Sequence, residues 1–169
     1  VNAIHELARQ ISHIEKWNDL KRGVSVNAGI VEGGTRTNVI ADRARAVFDL
    51  RAISIADMRK LEKRLHALPP FNRKAKLEIH GGFDRPPLER KMSAALFAQA
   101  KTIAAEISIE LGECCAGGGS DGNLTAALGA PTLDGLGAVG DGAHSPKECI
   151  VIRGLAERAT LLAAMLQTT

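Results

Sequence analysis

Two glycine-bounded stretches hold most of the chemistry this sequence can offer: Gly117-Gly118-Gly119-Ser120-Asp121-Gly122-Asn123 and Gly140-Asp141-Gly142-Ala143-His144-Ser145. Each places polar side chains on a backbone cleared of Cβ atoms, which lets main chain, ligand or metal approach closely. The pair reads as the rim of an active site. His144 follows a Gly/Ala stretch and precedes Ser145-Pro146, so its imidazole is presented from a loop and could ligate a metal. A lone histidine is more often structural or solvated, and position alone does not decide. Asp121 opens a helix. Either Ser120 or Asp121 simply caps free N–H groups there, or the Gly119-Ser120 backbone receives a substrate carboxylate or oxyanion. The two readings are compatible.

Three further polar residues have a plain and a sharper reading. Arg51 shares a strand face with Asp49, Val47 and Arg45, where a solvated surface pair of little energetic value is the plain reading. Arg85 can be solvated in the same way, or its planar donor fork can clamp a carboxylate. Asn38 follows Gly33-Gly34-Thr35-Arg36-Thr37 and would ordinarily be a turn residue. Other chemistries fail on spacing. Gly118-Gly119-Ser120-Asp121-Gly122 lacks the residue between glycine and serine that a nucleophile elbow requires, and no G-K-[ST] follows the glycines as in a phosphate loop.

The elements that must position these residues follow from periodicity. Val1, Ile4, Leu7, Ala8, Ile11 and Ile14 recur at three- and four-residue intervals, which predicts a helix to about Lys16 with that face buried. Val24, Val26, Ala28 and Ile30 alternate, as do Ala44, Ala46, Phe48 and Leu50, predicting two strands joined through Gly33-Gly34-Thr35. Ser54-Ile55-Ala56-Asp57 is a capping pattern for a helix over 54–67, which Pro69-Pro70 stops. Alternation at Ala75, Leu77 and Ile79 predicts a third strand, giving α-β-β-α-β to about residue 83. One more strand before Val1 would complete a β-α-β-β-α-β unit.

Arg85-Pro86-Pro87 stiffens the chain and marks a boundary, giving units of 1–84 and 85–169. Beyond it, Met92, Leu96, Ile103 and Ile107 predict a long helix. A short helix with Leu124, Ala127 and Leu128 follows, then a short buried strand at Pro131-Thr132-Leu133. A terminal helix has Leu155, Ala159, Leu162 and Leu166 in register. Helix, strand and helix in alternation is the tail of an α/β layered domain.

Composition narrows the class. At 169 residues and 45% hydrophobic, the chain can bury a core. Four Phe, one Trp and no Tyr leave little to stack on bases, and a net charge of +3 with scattered basic residues does not make a phosphate-backbone binder. No apolar run approaches the ~18 residues of a membrane span, so neither nucleic acid nor membrane is expected as a partner. Three cysteines, Cys114, Cys115 and Cys149, leave one unpaired in any disulfide scheme and show no metal-type spacing. They read as buried small hydrophobes in a reducing, cytoplasmic compartment.

Taken in order, Thr37-Asn38-Val39-Ile40-Ala41-Asp42, Phe48-Asp49-Leu50-Arg51, the Gly117 to Asn123 loop, Gly129-Ala130-Pro131-Thr132-Leu133-Asp134-Gly135-Leu136-Gly137 and Gly142-Ala143-His144-Ser145 resemble the zinc-dependent glutamate carboxypeptidase, aminoacylase and succinyl-diaminopimelate desuccinylase family. The carboxypeptidase branch is the nearest in resemblance. The resemblance implies a ferredoxin-like dimerisation lid over 1–84, lacking its first strand, and over 85–169 the C-terminal part of an α/β catalytic domain that carries two zinc ions, with cobalt as a possible substitute. It implies His144 as a zinc ligand, and Asn38, Arg51 and Arg85 as holders of a substrate carboxylate. Gly119 and Ser120 would line the pocket.

The family's His-x-Asp segment, bridging aspartate, Glu-Glu pair and further acidic ligand all precede its lid and have no counterpart in these residues. Ala41 stands where the family usually has proline. The expectation is therefore a portion of a homodimeric metallohydrolase that cleaves an amide bond beside a free carboxylate, in a peptidyl or N-acyl amino acid. By itself the segment contains no catalytic residue and is expected to be inactive. The alternative is a non-catalytic dimerisation or regulatory module.

Overall fold

The computed structural model describes residues 1–167. The chain divides into two compact units, Val1–Pro87 and Leu88–Thr169.

The first unit is α+β. Its opening helix α1, Ala3–Glu15, starts where the Asn2 side chain accepts hydrogen bonds from the N–H groups of Ile4 and His5, at 3.0 and 3.3 Å. The buried stripe of α1 is Glu6, Gln10 and Ile14, while Val1 and Ile4 are exposed. The helix thus sits rotated from its apolar face, and polar chemistry explains why. Glu6 Oε1 accepts from Phe71 N–H at 2.8 Å and Oε2 from Asn72 N–H at 2.9 Å, while Gln10 Nε2 donates to the Pro69 carbonyl at 2.9 Å. These part-buried bonds tie α1 to backbone groups of the segment after the second helix. Burial pushes the Glu6 carboxyl up. The hydrogen bonds from Gln10, Phe71 and Asn72, with the charge of Arg9, outweigh it and hold the group below its ordinary value.

A 3-10 turn, Leu20–Arg22, leads through Gly23 into strand β1, Ser25–Gly33, which pairs antiparallel with β2, Ala44–Arg51. Gly23 has φ +66°, and a Cβ there would lie 2.7 Å from the Ile53 side chain, so the turn admits only glycine without strain. The register runs from Ser25↔Arg51 to Gly33↔Ala44, with a bulge between Ala28 and Ile30. Alternation in β2 is as the sequence predicts: Ala44, Ala46, Phe48 and Leu50 are half-buried, and Arg45, Val47, Asp49 and Arg51 are exposed. Helix α2, Ile55–His66, is capped by Ser54, whose Oγ accepts the Asp57 N–H at 3.1 Å. Ile14, Trp17, Val24, Val26 and Leu61 form the core, with Phe48, Leu50 and Phe83 packed against it.

The third expected strand does not form. Residues 75–80 alternate between half-buried and exposed, as the pattern requires, and Lys76, Glu78 and His80 line one side, with Lys76 Nζ 2.5 Å from Glu78 Oε1. The sheet nevertheless contains only β1 and β2. Alternation reports which side chains are covered, whereas a strand also needs a neighbour for its N–H and C=O groups.

In the second unit, helix α3, Arg90–Glu106, ends at Ser108, a non-glycine residue with φ +59°. The Ser108 N–H reaches the Ala105 carbonyl at 3.2 Å and the Ile109 N–H reaches that of Ala104 at 2.8 Å, a left-handed closure usually given to glycine. A short helix α4, Gly122–Ala127, a two-residue hairpin of β3, Gly140–Asp141, with β4, Cys149–Ile150, and helix α5, Ile152–Gln167, complete it. The core is Ile103, Ala104 and Leu161, with Ile107, Ile109, Leu111, Leu136, Ala164 and Met165 around it.

Three expectations are corrected in this unit. Pro131-Thr132-Leu133 is neither a strand nor fully buried, because no neighbouring ladder receives it. All three cysteines are exposed. Helix α5 buries Gly154 and Leu161, whereas Ile152, Leu155, Leu162 and Leu166 are exposed, so the stripe read as its core face is not the face that packs on α3. Among the described residues no helix is long and apolar enough to cross a membrane.

Candidate functional site

In the first unit the candidate residues lie on three separate elements. Asn38 is exposed in the turn after β1, closed by the Val39 N–H donating to the Arg36 carbonyl at 3.2 Å. Arg51 ends β2 on the exposed sheet face. Its Nε and Nη2 both donate to Asp49 Oδ2, at 2.9 and 2.7 Å, because residues two apart on a strand share a face. The hydrogen bond and charge of Asp49 raise the guanidinium's pKa further. Both side chains are about half exposed, 53% and 51%, so the pair orients Arg51 more than it stabilises the fold. Arg85 is exposed in the segment that follows residues 75–80.

In the second unit, Gly119 is exposed and Ser120 half-buried at the start of α4. The Ser120 Oγ accepts the Gly122 N–H at 3.1 Å, and the Ser120 N–H donates to Asn123 Oδ1 at 2.9 Å. Ser120 Oγ thus serves one backbone N–H at the helix start, while the cap residue Asp121 makes no side-chain cap hydrogen bond, and the Ser120 N–H, the donor an oxyanion would use, already has a protein acceptor. Asn123 was missed as part of this turn, although its spacing of three from Ser120 is a capping signal.

His144 sits in the loop between β3 and β4 with φ +66°. A left-handed backbone at a histidine is uncommon and is maintained only where the surroundings impose it. They do so here. The Ser145 N–H donates to the Gly142 carbonyl at 3.0 Å, the Glu148 N–H donates to the Ser145 carbonyl at 3.0 Å, and the His144 N–H donates to Glu148 Oε2 at 3.3 Å. Gly142, at φ +70°, leaves no room for a Cβ, which would lie 3.0 Å from the Lys147 carbonyl oxygen. The imidazole is exposed, and neither ring nitrogen has a hydrogen-bond partner among the described residues. Glu148, which holds the loop, was not singled out from sequence.

A catalytic zinc takes about three protein ligands and leaves one position open. Among the described residues no group of three or more His, Cys, Asp and Glu side chains converges. These residues by themselves do not fit a zinc centre. Two clefts, of about 120 and 80 Å³, lie in the first unit, and neither is lined by any of the six candidate residues.

Comparison with known proteins places these features. Residues 1–70 match the model of the peptidase dimerisation domain of the M20 peptidases. An N-acetyldiaminopimelate deacetylase of Halalkalibacterium halodurans is 35% identical over 68 residues, 40% of this chain and 18% of the relative. An uncharacterised protein of Bacillus subtilis, YqjE, is 26% identical over 148 residues, 85% of this chain and 39% of the relative. Among solved structures, a tripeptidase of Staphylococcus aureus superposes with a TM-score of 0.72 at 20% identity, over 99% of this chain and 45% of that one. The aminopeptidase PepT of Bacillus cereus gives 0.54 at 23%, over 85% and 39%. The chain spans less than half the length of each of these relatives. Residues 1–70 thus match a peptidase dimerisation domain, and the chain shares its fold with solved peptidases across nearly its whole length.

Proposed function

We propose that the chain is a portion of a zinc-dependent, carboxypeptidase-like hydrolase, which cleaves an amide bond beside a free carboxylate and works as a homodimer joined through the first unit. The observation that carries this reading is the Arg51 guanidinium, half exposed at the end of β2 and oriented by Asp49. A planar donor fork held at a fixed angle suits a carboxylate. Asn38 and Arg85 add an exposed amide and a second exposed guanidinium from the same unit. Gly119 and Ser120 line the pocket in this reading. His144, exposed on a strained and internally braced loop, supplies one metal ligand, and the others come from outside the described residues. The likeness to a deacetylase of an N-acyl amino acid supports the substrate class and favours an enzyme over a non-catalytic module.

The test is made on the full-length enzyme with two variants. His144→Ala is expected to lose bound zinc together with activity. Arg51→Ala is expected to keep the metal and lose about ten- to a hundredfold in kcat/KM on a carboxylate substrate, since charge-assisted hydrogen bonds contribute roughly 1.5–3 kcal/mol. Full zinc retention in His144→Ala, or an unchanged preference of Arg51→Ala for a carboxylate substrate over its amide analogue, refutes the assignment. The 169-residue chain alone is expected to show no turnover with zinc or cobalt added.

A further inference from the structure

We propose that the cleft between the end of α1, the 3-10 turn and α2 binds a small oxyanion, a carboxylate or phosphate group. The cleft has a volume of about 80 Å³, and its floor is the apolar core itself, Trp17, Val24 and Leu61. Its polar wall comes chiefly from one face of α2, where Asp57, Lys60 and Arg64 lie three and four residues apart and so point the same way.

Three of the four carboxylate oxygens in this wall already accept a hydrogen bond. Asp57 Oδ1 accepts from Arg22 Nη2 at 2.7 Å and its Oδ2 from the Ser54 hydroxyl at 2.8 Å. Asp19 Oδ1 accepts the Arg22 backbone N–H at 3.2 Å. Besides Asp19 Oδ2, donors remain. The indole N–H of Trp17 is buried without a hydrogen-bond partner, on a side chain only 5% exposed. The Arg64 guanidinium carbon lies 4.3 Å from the centroid of that same ring, and Lys60 has no acidic partner among the described residues. Three cations, Arg22, Lys60 and Arg64, face two carboxylates in the lining.

Buried indole N–H groups ordinarily find an acceptor, and one without it calls for an explanation. A water molecule that accepts from the indole must also place its own two protons, and of the lining carboxylate oxygens Asp19 Oδ2 alone is left to take one. An oxyanion only accepts, so it satisfies an indole N–H, an ammonium and a guanidinium together. Arg64 is exposed, so its guanidinium can swing from the ring face to a bound oxygen and open the way to the indole.

Trp17 is the one tryptophan of the chain, so its emission reports on this cleft directly. The full chain is titrated with sodium phosphate and, separately, with sodium acetate, at constant ionic strength set with sodium chloride. A saturable change in Trp17 emission is expected. Lys60→Gln and Arg64→Gln, both at exposed positions and checked for fold by circular dichroism, are expected to weaken its midpoint by about tenfold each, the scale of one charge-assisted hydrogen bond. Arg59→Gln, an exposed cation on α2 outside the cleft, is expected to leave it unchanged. Saturation by phosphate alone or by acetate alone supports the site and names the group it takes. No saturable response beyond that of chloride, or a response equal in the Lys60→Gln and Arg64→Gln variants, overturns the proposal.

Discussion

The two units of this chain use apolar residues differently. In Val1–Pro87 the core of Ile14, Trp17, Val24, Val26 and Leu61 is drawn from two helices and a strand, and buried polar groups such as Glu6 are tied to backbone donors. In Leu88–Thr169 the core cluster is Ile103, Ala104 and Leu161, with Ala100 and Ala126 buried besides, the strands have two residues each, and Leu128, Ile150, Ile152, Leu155 and Leu166 stand exposed. Among the described residues both units leave large apolar side chains exposed, ten in the first and nine in the second, which is how surface meant for another protein segment reads. What differs is the make-up of the buried core. The family match covers residues 1–70, inside the unit whose core is the more complete.

The sharpest test sets a core leucine of the first unit against an exposed leucine of the second. Leu61, 3% exposed on α2, is expected to cost about 2–5 kcal/mol as Leu61→Ala. Leu162, 42% exposed on α5, is expected to change stability by less than about 0.5 kcal/mol as Leu162→Ala. Urea unfolding of the chain measures both, and equal losses would show that the two units bury their leucines alike. Next in size is Gly23→Ala, which places a Cβ 2.7 Å from Ile53 at φ +66°. A loss of about 1–2 kcal/mol from the backbone alone is expected, read as a lower urea midpoint with an unchanged slope.

A smaller effect separates the units by pH. The Glu6 carboxyl is held below its ordinary value of 4.5 in the folded protein. Its contribution is therefore fully present above pH 4.5 and is lost as pH falls through the lower folded value. Glu6→Gln is expected to flatten the acid side of the stability profile in this window. Glu113 in the second unit is also lowered, chiefly by its hydrogen bond from Arg90, but that pair is exposed and screened by salt. Glu113→Gln is expected to leave the profile nearly unchanged at physiological ionic strength, and thermal melts between pH 3 and 6 compare the two. Smallest is Ser108→Gly, which relieves a left-handed serine at the end of α3 and is expected to stabilise by no more than about 1 kcal/mol, seen as a small rise in Tm.

Much of the first unit was legible because its signals are local. The Ser54 cap and the alternation of β2 each depend on residues only a few positions apart, and the structure shows both. The rotation of α1 was not legible. Periodicity counts apolar residues, and what turns the helix is Glu6 and Gln10 gripping backbone groups some sixty positions away. The candidate site divides in the same way. His144 and Ser120 stand out from sequence through their glycine-rich surroundings, while Glu148 and Asn123, which brace them, become visible only as hydrogen-bond partners.

By itself the sequence determined where helices begin, which strand faces are apolar, and which residues carry the family's motifs, because caps, alternation and motif spacing are properties of neighbouring residues. Tertiary structure alone decided which apolar stripe of α5 is buried, that residues 75–80 extend without a ladder, and that the indole of Trp17 is left without an acceptor. Each of these depends on what another part of the chain brings alongside, and hydrogen-bond partners and packing surfaces are not encoded in the spacing of the residues that await them.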